Sequence, residues 1–164
     1  MPLANWVWNE TSPSAAGAAA SSQAVQGAAS YLPAGVAGPV DDYAALAIVA
    51  ELVGATGGTL DVYIQQNPSG DGVTWFDLVH FAQLSAGHGA VTYESSVSLY
   101  SQATSPVVVG KNAAPALGAG TSLNGAFSDR LRLLMVAGAS TTAGAPVKVT
   151  VCGQRPRTRE VGGR

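Results

Sequence analysis

Residues Thr59–Leu84, TLDVYIQQNPSGDGVTWFDLVHFAQL, decide the fold. Leu60, Val62 and Ile64 alternate with Thr59, Asp61, Tyr63 and Gln65, a period of two that can bury one face of a strand and leave the other polar. The segment Asn67-Pro68-Ser69-Gly70-Asp71-Gly72 follows. It supplies one fixed φ, two glycines free to take positive φ, and short side chains that bond their own backbone. The run from Thr74 to Leu84 is rich in aromatic and β-branched residues, so it reads as a strand returning along the first. In this β-hairpin Asp71 and Gly72 are expected to shape the turn and Trp75 to cover its base.

The same alternation recurs on both sides. Leu46, Ile48, Ala50 and Leu52 form one apolar face before Gly54, Gly57 and Gly58, although an Ala-rich run such as Tyr43–Val53 also fits a helix. Beyond the hairpin, Val91, Tyr93, Val97 and Leu99 share a face within 90–102, and Pro106–Gly110 reads as a further short strand. The Ala, Gly and Asn-rich stretch from Lys111 to Gly125 has no periodicity and reads as an exposed connection. Leu131, Leu133 and Met135 alternate with Arg130 and Arg132, and Val147, Val149 and Val151 with Lys148 and Thr150. Seven to eight short strands without a long amphipathic helix predict an all-β protein, an antiparallel sandwich or jelly roll. The expected organisation is an extended arm over 1–40, a sandwich domain over 41–153 and a short basic tail over 154–164.

Composition narrows the function. Charged residues make up 11% of the 164, well below the usual quarter, which points to lasting contact with other subunits. Residues 1–110 hold eight acids and no base, whereas 111–164 hold eight bases and two acids, formal charges of −8 and +6 within a net −2. Such asymmetry either steers docking between subunits or is absorbed when strands of the two parts pair within one fold. The start lacks a basic signal-peptide segment, and no run approaches the ~18 apolar residues of a membrane span, so neither secretion nor a membrane is expected. The lone Cys152 has no internal partner for a disulfide and reads as a partly buried strand residue.

Residues suited to chemistry are few. His80 lies inside a strand pattern and reads as a satisfied sheet residue, while His88 reads as a loop tip; neither has metal-ligand spacing to another His, Cys or carboxylate. Asp41 and Asp42 are adjacent and would point to opposite sides of a strand, so they do not make an acid/base pair. Nucleophile-elbow, dinucleotide and P-loop patterns are missing from the sequence. Neither an enzyme nor a cofactor or metal is expected. The segment Ser69–Trp75 resembles the Asp box of sialidase propellers but lacks one residue between Asp71 and its glycine and occurs once, so it implies turn chemistry alone. One carboxylate is too few for a Ca²⁺ site.

The hairpin LDVYIQQNPSGDGVTWFDLVHF, with the later LRLLMVAG and PVKVTVCG runs, resembles a group of small β-sandwich structural proteins of tailed bacteriophages over roughly residues 43–153. The resemblance implies a virion component made in the host cytoplasm, most like a capsid decoration (cement) protein on the outside of the head. Its partners would be the major capsid protein and further copies of itself, with nucleic acid not expected. In that setting Trp6, Trp8 and Tyr31 of the arm and Arg155, Arg157 and Arg159 of the tail are the candidate subunit contacts; alternatively the tryptophans cap this chain's own core. Two other readings stand beside it: a carbohydrate-binding module stacking sugars on Trp75, Phe76 or Tyr63, and a tail or connector component.

Overall fold

The computed structural model describes residues 4–11, 19–22, 43–52, 58–69, 73–85, 90–98, 117–123, 125, 127–128, 130–137 and 146–154. Among them are nine strands: β1 (Ala4–Thr11), β2 (Ala19–Ser22), β3 (Ala45–Leu52), β4 (Leu60–Gln66), β5 (Phe76–His80), β6 (Val91–Ser98), β7 (Thr121–Ser122), β8 (Leu131–Ala137) and β9 (Pro146–Gln154). They form a four-stranded sheet ordered β1-β9-β3-β6 and a five-stranded sheet ordered β2-β8-β4-β5-β7. Every pairing is antiparallel. Their apolar faces meet, and the protein is the all-β antiparallel sandwich that the alternation implies.

Strand alternation fills the core from both sides. Leu46, Ile48 and Ala50 of β3, Val97 of β6 and Val147, Val149 and Val151 of β9 face Leu60, Val62 and Ile64 of β4 and Leu131, Leu133 and Met135 of β8. Within the Ala-rich Tyr43–Val53 segment Ala45–Leu52 is strand, because it lies between β9 and β6, where both edges of its backbone are bonded. Beside it, Gly153 of β9 leaves room for the Tyr43 ring: a Cβ there would lie 2.6 Å from ring atoms.

Three features differ from the pattern-based reading. Two stretches within 1–40 are strands of the sandwich. The β-favouring Trp6-Val7-Trp8 run sits in β1, which pairs with β9 from Ala4↔Gly153 to Thr11↔Pro146. β2 pairs with β8 from Ala19↔Val136 to Ser22↔Leu133. The 111–125 stretch is not a wholly exposed connection either: Leu117 is buried, and Thr121–Ser122 pair with Val79 and His80. Gly120, with φ of 73°, makes the turn into this short strand. Finally, the polar face of β4 is not left to solvent, since Tyr63 and Gln65 are both buried.

Strand order also absorbs much of the charge asymmetry. β9, from the basic part, lies between β1 and β3, and β8 lies between β2 and β4, all four neighbours coming from the acidic part. Lys148 of β9 thereby pairs with Glu51 of β3. The predicted Pro106–Gly110 strand, His88 and the 155–164 tail lie outside the described residues.

Candidate functional site

β4 places Asp61, Tyr63 and Gln65 on the face opposite its core residues, and the neighbouring strands bring matching groups beside them. Gln65 stands opposite Arg132 on β8 and Asp77 on β5. The register with β5 shifts by one residue between Ile64 and Gln65, a β-bulge on β5. The extra residue lets Leu78 and Val79, adjacent in sequence, both enter the core, and it aims Asp77 and His80 at the same outer face.

There the side chains bond to one another. Arg132 Nε donates to Gln65 Oε1 at 2.8 Å, and Gln65 Nε2 donates to Asp77 Oδ1 at 2.8 Å. The Leu117 backbone N–H completes the row by donating to Asp77 Oδ2 at 3.0 Å. A guanidinium and a carboxylate, both buried, are thus joined through one amide. Arg132 also lies over the ring of Trp75, 4.8 Å from its centroid. Burial draws the Arg132 pKa down from its ordinary value against the opposing pull of Asp77, and a guanidinium stays charged regardless.

A second row runs alongside. His80 Nδ1 is 2.6 Å from the Leu117 carbonyl oxygen and Nε2 is 3.0 Å from Asp61 Oδ1. Both partners accept, so the two contacts are hydrogen bonds together only when both ring nitrogens carry a proton. The ring stacks on Tyr63, with centroids 3.9 Å apart. Burial raises the Asp61 pKa, but bonds from His80 and Gln83 and the His80 charge outweigh it, so the carboxyl titrates below its ordinary value. Tyr63 is pushed up to about 12 by burial first, then by the negative Asp61 and Asp77. Leu117 therefore clamps both rows, holding Asp77 with its N–H and His80 with its carbonyl.

The candidate contact residues separate as follows. Trp8 is 0% exposed in this chain's own core, which corrects its expected role as a subunit contact and matches the alternative that it caps the core. Its indole N–H is buried without a hydrogen-bond partner among the described residues. Trp6 lies in β1 opposite Val151. Trp75 is buried beneath Arg132, a cover contributed by β8 as well as by the hairpin. Tyr31, Asp71, Gly72, Arg155, Arg157 and Arg159 lie outside the described residues. His80 is the satisfied sheet residue that its strand position indicates, and Cys152 is half-buried.

Sequence reading missed the Arg132–Gln65–Asp77 row. Its one legible sign is a charged residue inside the apolar run LRLLMVA, because a cation flanked by core residues needs a partner. Between β6 of one sheet and β5 and β7 of the other lies a cleft of about 220 Å³, lined by Phe81, Tyr93, Glu94, Thr121 and Ser122, with His80 at its wall. Among the described residues, no three of His, Cys, Asp and Glu gather to hold a metal ion. No family model, curated protein or solved structure matches the chain.

Proposed function

We propose that this chain is a non-enzymatic structural protein of a tailed-phage particle, a capsid decoration protein that seats on the major capsid protein and braces the head. The observation that carries a structural role is how the reactive side chains are used. His80, Asp61, Asp77, Gln65 and Arg132 each serve a bond within the fold, in two rows fastened by Leu117. Groups held this way stiffen a body rather than turn over a substrate. The low fraction of charged residues and the resemblance of the hairpin and the last two strands to phage sandwich proteins support placement in a particle. The test adds purified protein to undecorated heads built from the same phage's major capsid protein. Saturable co-sedimentation, with a raised temperature of head disruption, is expected. Absence of binding, together with recovery of the protein in purified tails, would move it to the tail.

One observation favours a second reading. The structure buries Trp75 and Tyr63, two of the three aromatic platforms that a sugar would need, but the cleft carries the half-buried Tyr93 beside the hydroxyls of Thr121 and Ser122. Glycan-array binding that is lost in Tyr93→Ala would support saccharide recognition there; silence on the array leaves head decoration as the better account.

A further inference from the structure

β1 is an edge strand of the four-stranded sheet and β2 an edge strand of the five-stranded sheet. β1 lies on β9 of one sheet and β2 on β8 of the other. Among the described residues, every strand pairing made by Ala4–Thr11 and Ala19–Ser22 is to those two strands. The seat for this strap, the free edges of β9 and β8, therefore belongs entirely to the block that begins with β3. An empty seat would present two bare strand edges and a hole the size of the fully buried Trp8 side chain, so it is stable only when filled.

A second copy carries an identical seat. A strap in that seat makes the same pairings and buries the same indole, so contact energy does not distinguish the two arrangements. What distinguishes them is reach and concentration. The twenty positions 23–42 join strap to block, and twenty residues extend to at most about 70 Å. A domain of this size is about 40 Å across, so covalent length permits either seat. The buried Trp8 N–H without a partner among the described residues makes the anchor easier to release than a satisfied one. In dilute solution the tether holds the strap at an effective concentration in the millimolar range and favours its own seat. Copies crowded side by side reach the same range.

We propose that β1 and β2 exchange between neighbouring copies of this chain, β1 of one copy pairing with β9 of the next, and so link copies strand by strand. This deepens the decoration reading and rests on it only for the setting in which copies crowd together.

The lone cysteine supplies the test. Asn5 is the register partner of Cys152. Antiparallel partners lie about 4.5–5.5 Å apart at Cα, within the span of a disulfide. Full-length Asn5→Cys/Cys152→Ser is mixed with wild type and concentrated to about millimolar, so that each protein carries one cysteine. After mild oxidation the products are separated on a non-reducing gel. Exchange predicts mixed disulfides at least tenfold over either homodimer. A mixture at the statistical two-to-one ratio, or no cross-link, overturns the proposal. If the first variant misfolds, the same mixture is built at the partners Val7 and Thr150, with Val7→Cys on one copy and Thr150→Cys on the other, both in a Cys152→Ser background. The assay uses free protein, so a failure to bind heads would not affect its outcome.

Discussion

Gln65→Leu isolates what the buried polar row contributes. Leucine keeps the side-chain volume near that of glutamine, so the change leaves little cavity. It removes the acceptor for Arg132 Nε and the donor to Asp77 Oδ1, both at 2.8 Å. Hydrogen bonds to charged groups contribute about 1.5–3 kcal/mol each, and breaking a buried charged pair from one side costs about 3–5 kcal/mol. Arg132 and Asp77 are already attracted through space and can shift toward each other, so the lower part of that range, about 3 kcal/mol, is expected. Against a total stability of about 5–15 kcal/mol this is a large fraction. Urea unfolding followed by tryptophan fluorescence measures it. With a slope of about 2 kcal/mol per molar, the midpoint should fall by about 1.5 M. A double-mutant cycle with Arg132→Leu adds the decisive comparison: if Gln65 acts by holding Arg132, the double variant should be less destabilised than the sum of the singles by about 1.5–3 kcal/mol. Additive effects, or a Gln65→Leu cost below about 0.5 kcal/mol, would show that the row is incidental to stability.

Acid should weaken the second row. The folded-state pKa of Asp61 lies below its ordinary 3.8, so its contribution is present above that value and is lost as pH falls through the folded one. Thermal melts from pH 5 to pH 2 should therefore show a shallower decline for Asp61→Asn than for wild type, and parallel curves would contradict the assignment. Tyr63 acts in the opposite sense. Its pKa is raised from 10.0 to about 12, so the stability it lends is complete below pH 10 and disappears as pH rises through the folded value. Absorbance titration near 295 nm should find one tyrosine ionising late in wild type and absent in Tyr63→Phe. Gly153→Ala places a methyl 2.6 Å from the Tyr43 ring and should cost about 1–3 kcal/mol of overpacking, whereas the same change at Gly120 meets no atom within 4 Å and carries only the cost of its positive φ; chemical denaturation of the pair separates the two causes.

Much of the sandwich is legible residue by residue because alternation is a local property. Leu60, Val62 and Ile64 read as one face, and so do Val147, Val149 and Val151, with their strands close to where the structure has them. The polar rows are another matter. That Gln65 meets Asp77 depends on one extra residue in β5, and that it meets Arg132 depends on a pairing 67 positions away in the chain. Neither is encoded in the periodicity of any single strand. Leu117 escaped for a related reason: it bonds through its backbone, and a backbone N–H and C=O carry no residue-type signal. Trp8 was ambiguous because an aromatic residue fits a core and an interface equally well, and only the position of β1 against β9 decides between them.

The place of β9 in its sheet governs the order in which the protein can be made. β9 is the last strand described, yet it lies between β1 and β3, the first and third. Until residues 146–154 have left the ribosome, Ala4–Thr11 lacks the strand it pairs with among the described residues, and Trp8 has no closed core to enter. Such long-range closure places folding in the slow, millisecond-to-second class of all-β domains. Trp8 must therefore wait in the open until β9 emerges, and a ribosome stalled before Pro146 would release a chain whose four-stranded sheet lacks its second strand.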